Sequence, residues 1–253
     1  KKVMSCLGSI YLKLNKQETM IVIPCRYNSF RLPGKALKQI NGKTMIKRTY
    51  ERCVLSKIDT IVVTDDDRIV EECKREKIPV EKIDDECKTG TDRVARFAIK
   101  NNLKWVINVQ GDEPFANVDD ILKMKNAIEH GDRREVINGY CEIKSREKFH
   151  SYKIPKMIIQ NGKLLYASRN PVPYNNIDFF GYEQVCIYGF WTHLLKQFLD
   201  SEKTFYERME DIEILRFIEL NINVKMIEMQ GSPLHVDTQE DLKKAIEIAH
   251  NTA

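Results

Sequence analysis

This sequence predicts an α/β fold with a mostly parallel sheet and an inserted antiparallel lobe. Short β-branched runs alternate with segments whose apolar residues recur at helical spacing, which is the pattern of βαβ units. After about residue 155 the pattern changes to an apolar hairpin and a further strand. No linker, repeat or low-complexity segment separates the two parts. Residues 20–253 are therefore expected to form one domain, with the lobe at roughly 155–190, and residues 1–19 read as an extension of unknown role.

Each element has its own warrant in the sequence. Met20 to Pro24 is a buried strand. Lys43 to Leu55 carries Met45, Ile46, Thr49, Tyr50 and Cys53 on one helical face. Thr60 to Thr64 is β-branched throughout, and Ile69 to Glu76 returns to a helical pattern. Pro79 to Ile83 suggests a short strand. Asp92 to Asn101 reads as a helix with Val94, Phe97 and Ala98 inward. Trp105 to Val109 is a strand, and Asn117 caps a helix bearing Ile121, Leu122, Met124 and Ile128. Asn161-Gly162 between Met157 to Ile159 and Lys163 to Ala167 is a type I′ hairpin signal. Val185 to Trp191 is a strand, Glu207 to Leu220 a helix, Val224 to Met229 a strand and Thr238 to His250 a terminal helix.

Composition excludes several function classes. Lys plus Arg number 41 against 37 Asp plus Glu, a net charge of +4, too mild for nucleic acid as the main partner. No apolar run approaches the roughly 18 residues that span a membrane. Seven cysteines are scattered without a C-x-x-C pair or Cys/His cluster, which fits reduced thiols in a cytoplasmic protein better than a disulfide framework or a zinc site.

The chemistry concentrates in a few short segments. Arg26-Tyr27-Asn28-Ser29-Phe30-Arg31-Leu32-Pro33-Gly34-Lys35 follows the first strand. Ligands of open α/β sheets bind beyond the carboxyl ends of strands, and three cations with free backbone N–H groups suit a polyphosphate. Asp112, in Gln110-Gly111-Asp112-Glu113-Pro114, stands at another strand end, where a carboxylate can hold a hard cation. Asp237, before the last helix, can do the same or simply favour the helix dipole. Thr89-Gly90-Thr91-Asp92-Arg93 offers hydroxyl and N–H donors at a helix start, or a plain N-cap. Asp65-Asp66-Asp67 reads as a turn and cap.

In order along the chain, these segments, with Ser168-Arg169, Ile187-Tyr188-Gly189 and Val236-Asp237-Thr238-x-Glu240-Asp241-Leu242, resemble the 3-deoxy-manno-octulosonate cytidylyltransferases, or CMP-Kdo synthetases. The resemblance runs from about Met20 to the C-terminus. It implies a Rossmann-like nucleotidyltransferase fold, CTP and Mg²⁺, an acidic 3-deoxy sugar as acceptor, a place in lipopolysaccharide or surface polysaccharide synthesis, and a homodimer built by the second lobe. By the same resemblance Lys35, Arg31 and Arg26, with Ser29, would engage the triphosphate. Asp112 and Asp237 would hold Mg²⁺. Thr89, Gly90, Thr91, Arg93 and Gln110 would line the nucleotide and sugar side, and Arg169, Gln184, Tyr188, Glu210 and Glu213 the sugar.

The sequence departs from the family pattern on the sugar side. Gln184 replaces the usual histidine, Ile214 a glutamine, and Gly231-Ser232-Pro233-Leu234-His235-Val236 lacks the usual glycine beside the Val-Asp. Sites built to hydrogen-bond a hydroxyl reject analogues by about 10⁴-fold. A Kdo variant such as the 8-amino-8-deoxy sugar is therefore an expected acceptor beside Kdo itself. The alternatives are a sialic-like sugar or a phosphonate on the same scaffold, and a non-catalytic nucleotide-binding protein. The last has no need of Lys35, Asp112 and Asp237 together. A glycosyltransferase would use a D-x-D motif; Asp65-Asp66-Asp67 fits that form but accompanies no other such signal.

Overall fold

The computed structural model describes residues 19–83, 86–174 and 178–251. Of the expected N-terminal extension, residues 1–18 lie outside them. The chain runs β1 (Thr19–Cys25), β2 (Gln39–Ile40), β3 (Lys43–Thr44), α1 (Met45–Val54), β4 (Thr60–Thr64), α2 (Asp67–Arg75) and β5 (Val80–Lys82). It continues through α3 (Gly90–Lys100), β6 (Trp105–Val109), α4 (Val118–Glu129), β7 (Glu135–Glu142), α5 (Arg146–His150), β8 (Lys156–Gln160) and β9 (Lys163–Ser168). Last come β10 (Tyr182–Trp191), α6 (Thr192–Asp200), α7 (Phe205–Glu210), α8 (Ile214–Glu219), β11 (Asn223–Glu228) and α9 (Gln239–Asn251).

One sheet carries the order β5-β4-β1-β6-β10-β7-β11-β9-β8. Its first four strands are mutually parallel, and Ile21, Val22, Ile23, Val62, Val63, Val106, Ile107 and Val109 are all buried between the helical layers. Continuous apolar strands of this kind belong to a parallel sheet covered on both faces. The α/β class expected from the sequence is the observed one, and β2 and β3 form a small separate antiparallel pair.

The expected lobe at 155–190 is continuous with this sheet. β10 pairs antiparallel with β6 on one side and with β7 on the other, and its first residues also pair with β8. The hairpin of β8 and β9 turns at Asn161 and Gly162, both with positive φ as a type I′ turn requires.

The expected helix from Glu207 to Leu220 is two helices. Asp211 takes a left-handed conformation (φ 52°) and ends α7, and α8 starts again at Ile214. The buried apolar residues of this stretch, Ile212, Ile214, Leu215 and Phe217, lie at and after the break, and α7 buries only Glu207. Strand β7, helices α5 and α6 and the β2–β3 pair have no counterpart among the predicted elements.

Two local features set up the site. Gly34 has φ +66°, and a Cβ there would lie 3.1 Å from the Tyr27 ring, so the loop after β1 closes only with glycine. At the other end of the chain, Leu242, Ala245 and Ala249 of α9 pack with Leu32, Ile40 and Met45. That apolar contact brings the start of α9 against the same loop.

Candidate active site

The loop after β1, the end of β6, the start of α3, strand β10 and the start of α9 surround a cavity of about 550 Å³. Parallel strands deliver their loops to one edge of the sheet, so residues distant in sequence meet there. Of the residues named from the sequence, Arg26, Ser29, Arg31, Lys35, Thr89, Gly90, Arg93, Gln110, Asp112, Arg169, Gln184, Tyr188, Glu213 and Asp237 all line it. Thr91 and Glu210 do not.

Lys35 is the centre of the charged floor. Its Nζ lies 2.5 Å from Asp112 Oδ2 and 3.0 Å from Asp237 Oδ1, and Arg31 Nη2 reaches Asp237 Oδ2 at 2.9 Å. Burial works against the charge on Lys35, but the two carboxylates outweigh it and raise the ammonium pKa. Burial likewise disfavours the Asp112 carboxylate, and the Lys35 charge and hydrogen bond hold its pKa below the ordinary value. Asp237 is not consumed as a helix cap. Asp241 accepts the N–H groups of Asp237 (3.2 Å) and Thr238 (2.9 Å), leaving the Asp237 carboxylate to face the cavity.

Two carboxylates that converge on one cationic group from separate chain segments fit a hard divalent cation such as Mg²⁺. Asp112 and Asp237 are the residues that would hold it.

The Thr89 segment is a full capping box. Thr89 Oγ1 accepts from Asp92 N and the Asp92 carboxylate accepts from Thr89 N. Thr91 N donates to Glu213 Oε2 at 3.1 Å, which ties α3 to α8 behind the wall. Arg93 is almost fully buried and pairs with Asp65 at 2.6 Å. Asp66 accepts from Arg68 N and Asp67 pairs with Lys82, so the aspartate triplet is spent on a cap and ion pairs.

On the sugar side the structure redistributes the expected roles. The Arg169 guanidinium is held by main-chain carbonyls: Nε by Glu210 (2.7 Å), Nη1 by Tyr152 (3.2 Å) and Lys153 (3.3 Å), and Nη2 by Asp211 (2.8 Å). Glu210 lies behind the wall, where its carboxylate accepts from Tyr166 Oη, Ser168 Oγ and Arg169 N. It clamps the end of β9 to the end of α7 and does not reach the cavity. Gln184 lines the cavity but donates to Asn138 Oδ1 at 2.9 Å. Asn138 in turn donates to Val185 O and Ile187 O at the β-bulge of β10. Ile214 is buried in the core, away from the cavity.

Other lining residues had no role assigned from the sequence: Lys153, Lys203, Asp211 and Cys186, and His235 stood only as part of a departing segment. Isolated residues in irregular segments carry no local pattern by which to find them. His235 Nδ1 meets Glu113 Oε1 at 2.5 Å, and the Glu113 charge, against the effect of burial, raises the imidazole pKa to about 9.

A cation-lined cavity at the carboxyl ends of parallel strands, with paired carboxylates on its floor, defines the nucleotidyltransferase class. A family model described as cytidylyltransferase matches residues 20–227, and the chain belongs to that family. It is 32% identical over 241 residues to a 3-deoxy-manno-octulosonate cytidylyltransferase of Christiangramia forsetii, covering 91% of this chain and 96% of that one. It is 33% identical to the same enzyme of Rickettsia prowazekii, over 93% of this chain and 96% of the relative. Among solved structures it resembles a CMP:2-keto-3-deoxy-manno-octonic acid synthetase complexed with CTP, with TM-score 0.86 and 28% identity over 94% of this chain and all of that one. A 4-diphosphocytidyl-2C-methyl-D-erythritol synthase from Anaerococcus prevotii, at TM-score 0.61 and 16% identity over 92% of this chain and 97% of that one, shares the fold.

Proposed function

We propose that this chain transfers CMP from CTP to the anomeric hydroxyl of a 3-deoxy-ulosonic acid of the Kdo type and releases pyrophosphate. The observation that carries the reading is Lys35 held between Asp112 and Asp237 inside a cation-walled cavity. Such a transfer proceeds mainly by positioning and charge neutralisation. Arg26, Arg31 and Lys35 stand where the triphosphate would lie and offset the charge that develops on the leaving pyrophosphate. Asp112 and Asp237 would hold Mg²⁺, which when bound lowers the pKa of the acceptor hydroxyl and neutralises phosphate charge.

Lys153 and Lys203 line the cavity as well as Arg169, which suits an anionic acceptor. The Arg169 guanidinium is held by four carbonyls, and the partners left for a sugar carboxylate are Lys203 and Lys153, whose ammonium also reaches Thr238 Oγ1 at 3.3 Å. Two of the sequence departures, Gln184 and His235, face the cavity; Ile214 does not. Those are the two departures that can touch the acceptor. The enzyme would act in the cytoplasm, in keeping with six free cysteines among the described residues, and in a pathway to lipopolysaccharide or surface polysaccharide. No helix among the described residues is long and apolar enough to cross a membrane. Exposed Phe205, Tyr206 and Met209 of α7 offer apolar side chains for a homodimer contact.

The test is pyrophosphate release with CTP, Mg²⁺ and a panel of acidic 3-deoxy-ulosonates including Kdo and the 8-amino form. Release that needs CTP, metal and one such acid is expected. Release with none of them, despite CTP binding, would overturn the acceptor class.

A further inference from the structure

Three side chains unused by the nucleotide reading meet on the cavity floor. Glu113 follows Asp112, His235 lies two residues before Asp237, and Cys186 comes from the bulged strand β10. A carboxylate oxygen, a ring nitrogen and the thiol sulfur of these three lie within 4.8 Å of one another. Cys186 and His235 line the cavity, and Glu113 is buried just behind them. Glu113 Oε1 is taken by His235 Nδ1, whereas Oε2 is buried with no hydrogen-bond partner. A buried carboxylate oxygen left without a donor is costly, and a bound cation relieves that cost.

We propose that Glu113, Cys186 and His235 form a binding site for a borderline-soft divalent cation of the Zn²⁺ kind, distinct from the carboxylate pair Asp112 and Asp237. Sulfur, imidazole nitrogen and carboxylate oxygen are the three donors that Zn²⁺ accepts, and three protein ligands leave a fourth position open to the cavity. Tetrahedral ligand atoms at Zn²⁺ distances stand about 3.5 Å apart, so closing the cluster opens the 2.5 Å contact between His235 Nδ1 and Glu113 Oε1 and draws the more distant donor atoms in. Magnesium prefers oxygen and is not drawn to a thiolate. Two adjoining sites would therefore sort cations by donor type. On binding, the Cys186 thiol and the His235 imidazolium each release a proton to solvent as the sulfur–metal and nitrogen–metal bonds form.

The site is tested without turnover, so its outcome is independent of the proposed reaction. The full-length reduced protein is titrated with Co²⁺ in excess Mg²⁺ and its absorbance recorded. One equivalent should produce d–d bands and a thiolate-to-cobalt charge-transfer band, and Zn²⁺ should erase both. Cys186→Ser should abolish the charge-transfer band. His235→Gln should weaken Co²⁺ binding at least tenfold. Cys25→Ser, which removes another cavity thiol, should leave the band in place. A charge-transfer band that survives in Cys186→Ser, or folded wild-type protein that takes up no Co²⁺ saturably, overturns the proposal.

Discussion

The Lys35 ammonium lies 3.0 Å from the Asp237 carboxylate, joining residues separated by 202 positions in the chain. The contact exists because α9 packs its apolar face on the loop that Gly34 closes. Lys35→Met keeps the side-chain stem and removes the charge. It should lower kcat/KM by roughly 10²–10³-fold, the scale of losing one preorganised charge-stabilising group. It should also raise the CTP concentration needed for half-maximal rate. Steady-state kinetics across CTP concentrations check both; an unchanged CTP dependence would remove Lys35 from the triphosphate.

Asp112→Asn preserves the size of the side chain and deletes one charge of the carboxylate pair. If the pair holds Mg²⁺, the rate at fixed Mg²⁺ should drop by about 10²-fold or more and the Mg²⁺ requirement should move to higher concentration. Circular dichroism should stay unchanged, since asparagine keeps the main-chain carbonyl that accepts from Val236 N and a side-chain oxygen for Lys35. Near-normal turnover at low Mg²⁺ would contradict the assignment.

Arg216 supports the site from behind. It is 1% exposed, binds Glu207 through Nε and Nη2 at 2.6 Å each, and donates to Phe198 O at 3.1 Å. It thereby fixes α8 against α7 and α6, and α8 begins beside the cavity residue Glu213. Arg216→Met would strand the Glu207 carboxylate in the core and should destabilise the fold by about 3–5 kcal/mol. The double variant with Glu207→Gln should recover part of the loss. Urea denaturation of both variants decides the matter.

The elements legible in the sequence are those whose burial is unbroken. Strands β1, β4 and β6 are short runs dominated by buried apolar residues, and Asn117 marks the start of α4 by accepting from Asp119 N. Strand β7 escaped because Asn138 and Gly139 interrupt its apolar run, and Asn138 is there to fill the bulge of β10. The break between α7 and α8 escaped because a left-handed aspartate has no periodicity of its own. The site shows the same division. Arg26 to Lys35 and Gln110 to Asp112 are contiguous segments with readable chemistry. Glu113, Cys186 and His235 come from three distant segments and meet only when the sheet is assembled. The Glu210 carboxylate was equally hidden: it faces Ser168 and Arg169 because the residue after it turns the chain left-handed.

Arg169→Lys keeps the charge but has one nitrogen to replace a guanidinium that gathers four carbonyls. The segment from Glu210 to Asp211 should loosen from Tyr152 and Lys153. The expected result is a higher KM for the sugar acid together with a lower melting temperature. A raised KM with an unchanged melting temperature would mean that Arg169 touches the acceptor directly.

Glu219 ties α8 to the start of α7, where it accepts the N–H of Tyr206 (3.0 Å) and of Glu207 (3.2 Å). Burial opposes its charge, and hydrogen bonds from the start of α7 outweigh that and hold its pKa below the ordinary value. A carboxyl with a depressed folded-state pKa binds fewer protons folded than unfolded. Its contribution is therefore complete above the ordinary carboxylate range and is lost as pH falls through the depressed value. Glu219→Gln keeps an acceptor but removes the charge at a helix N-terminus, and should cost about 1 kcal/mol at neutral pH. For a chain of this size that is a drop of roughly 2–4 °C in melting temperature. The gap between the two proteins should hold constant from neutral pH down to about pH 5 and close below it, as protonation makes the wild-type side chain as neutral as the amide. Melting curves from pH 7 to pH 3 test this, and a gap that persists at pH 3 would show that shape, not charge, joins α8 to α7.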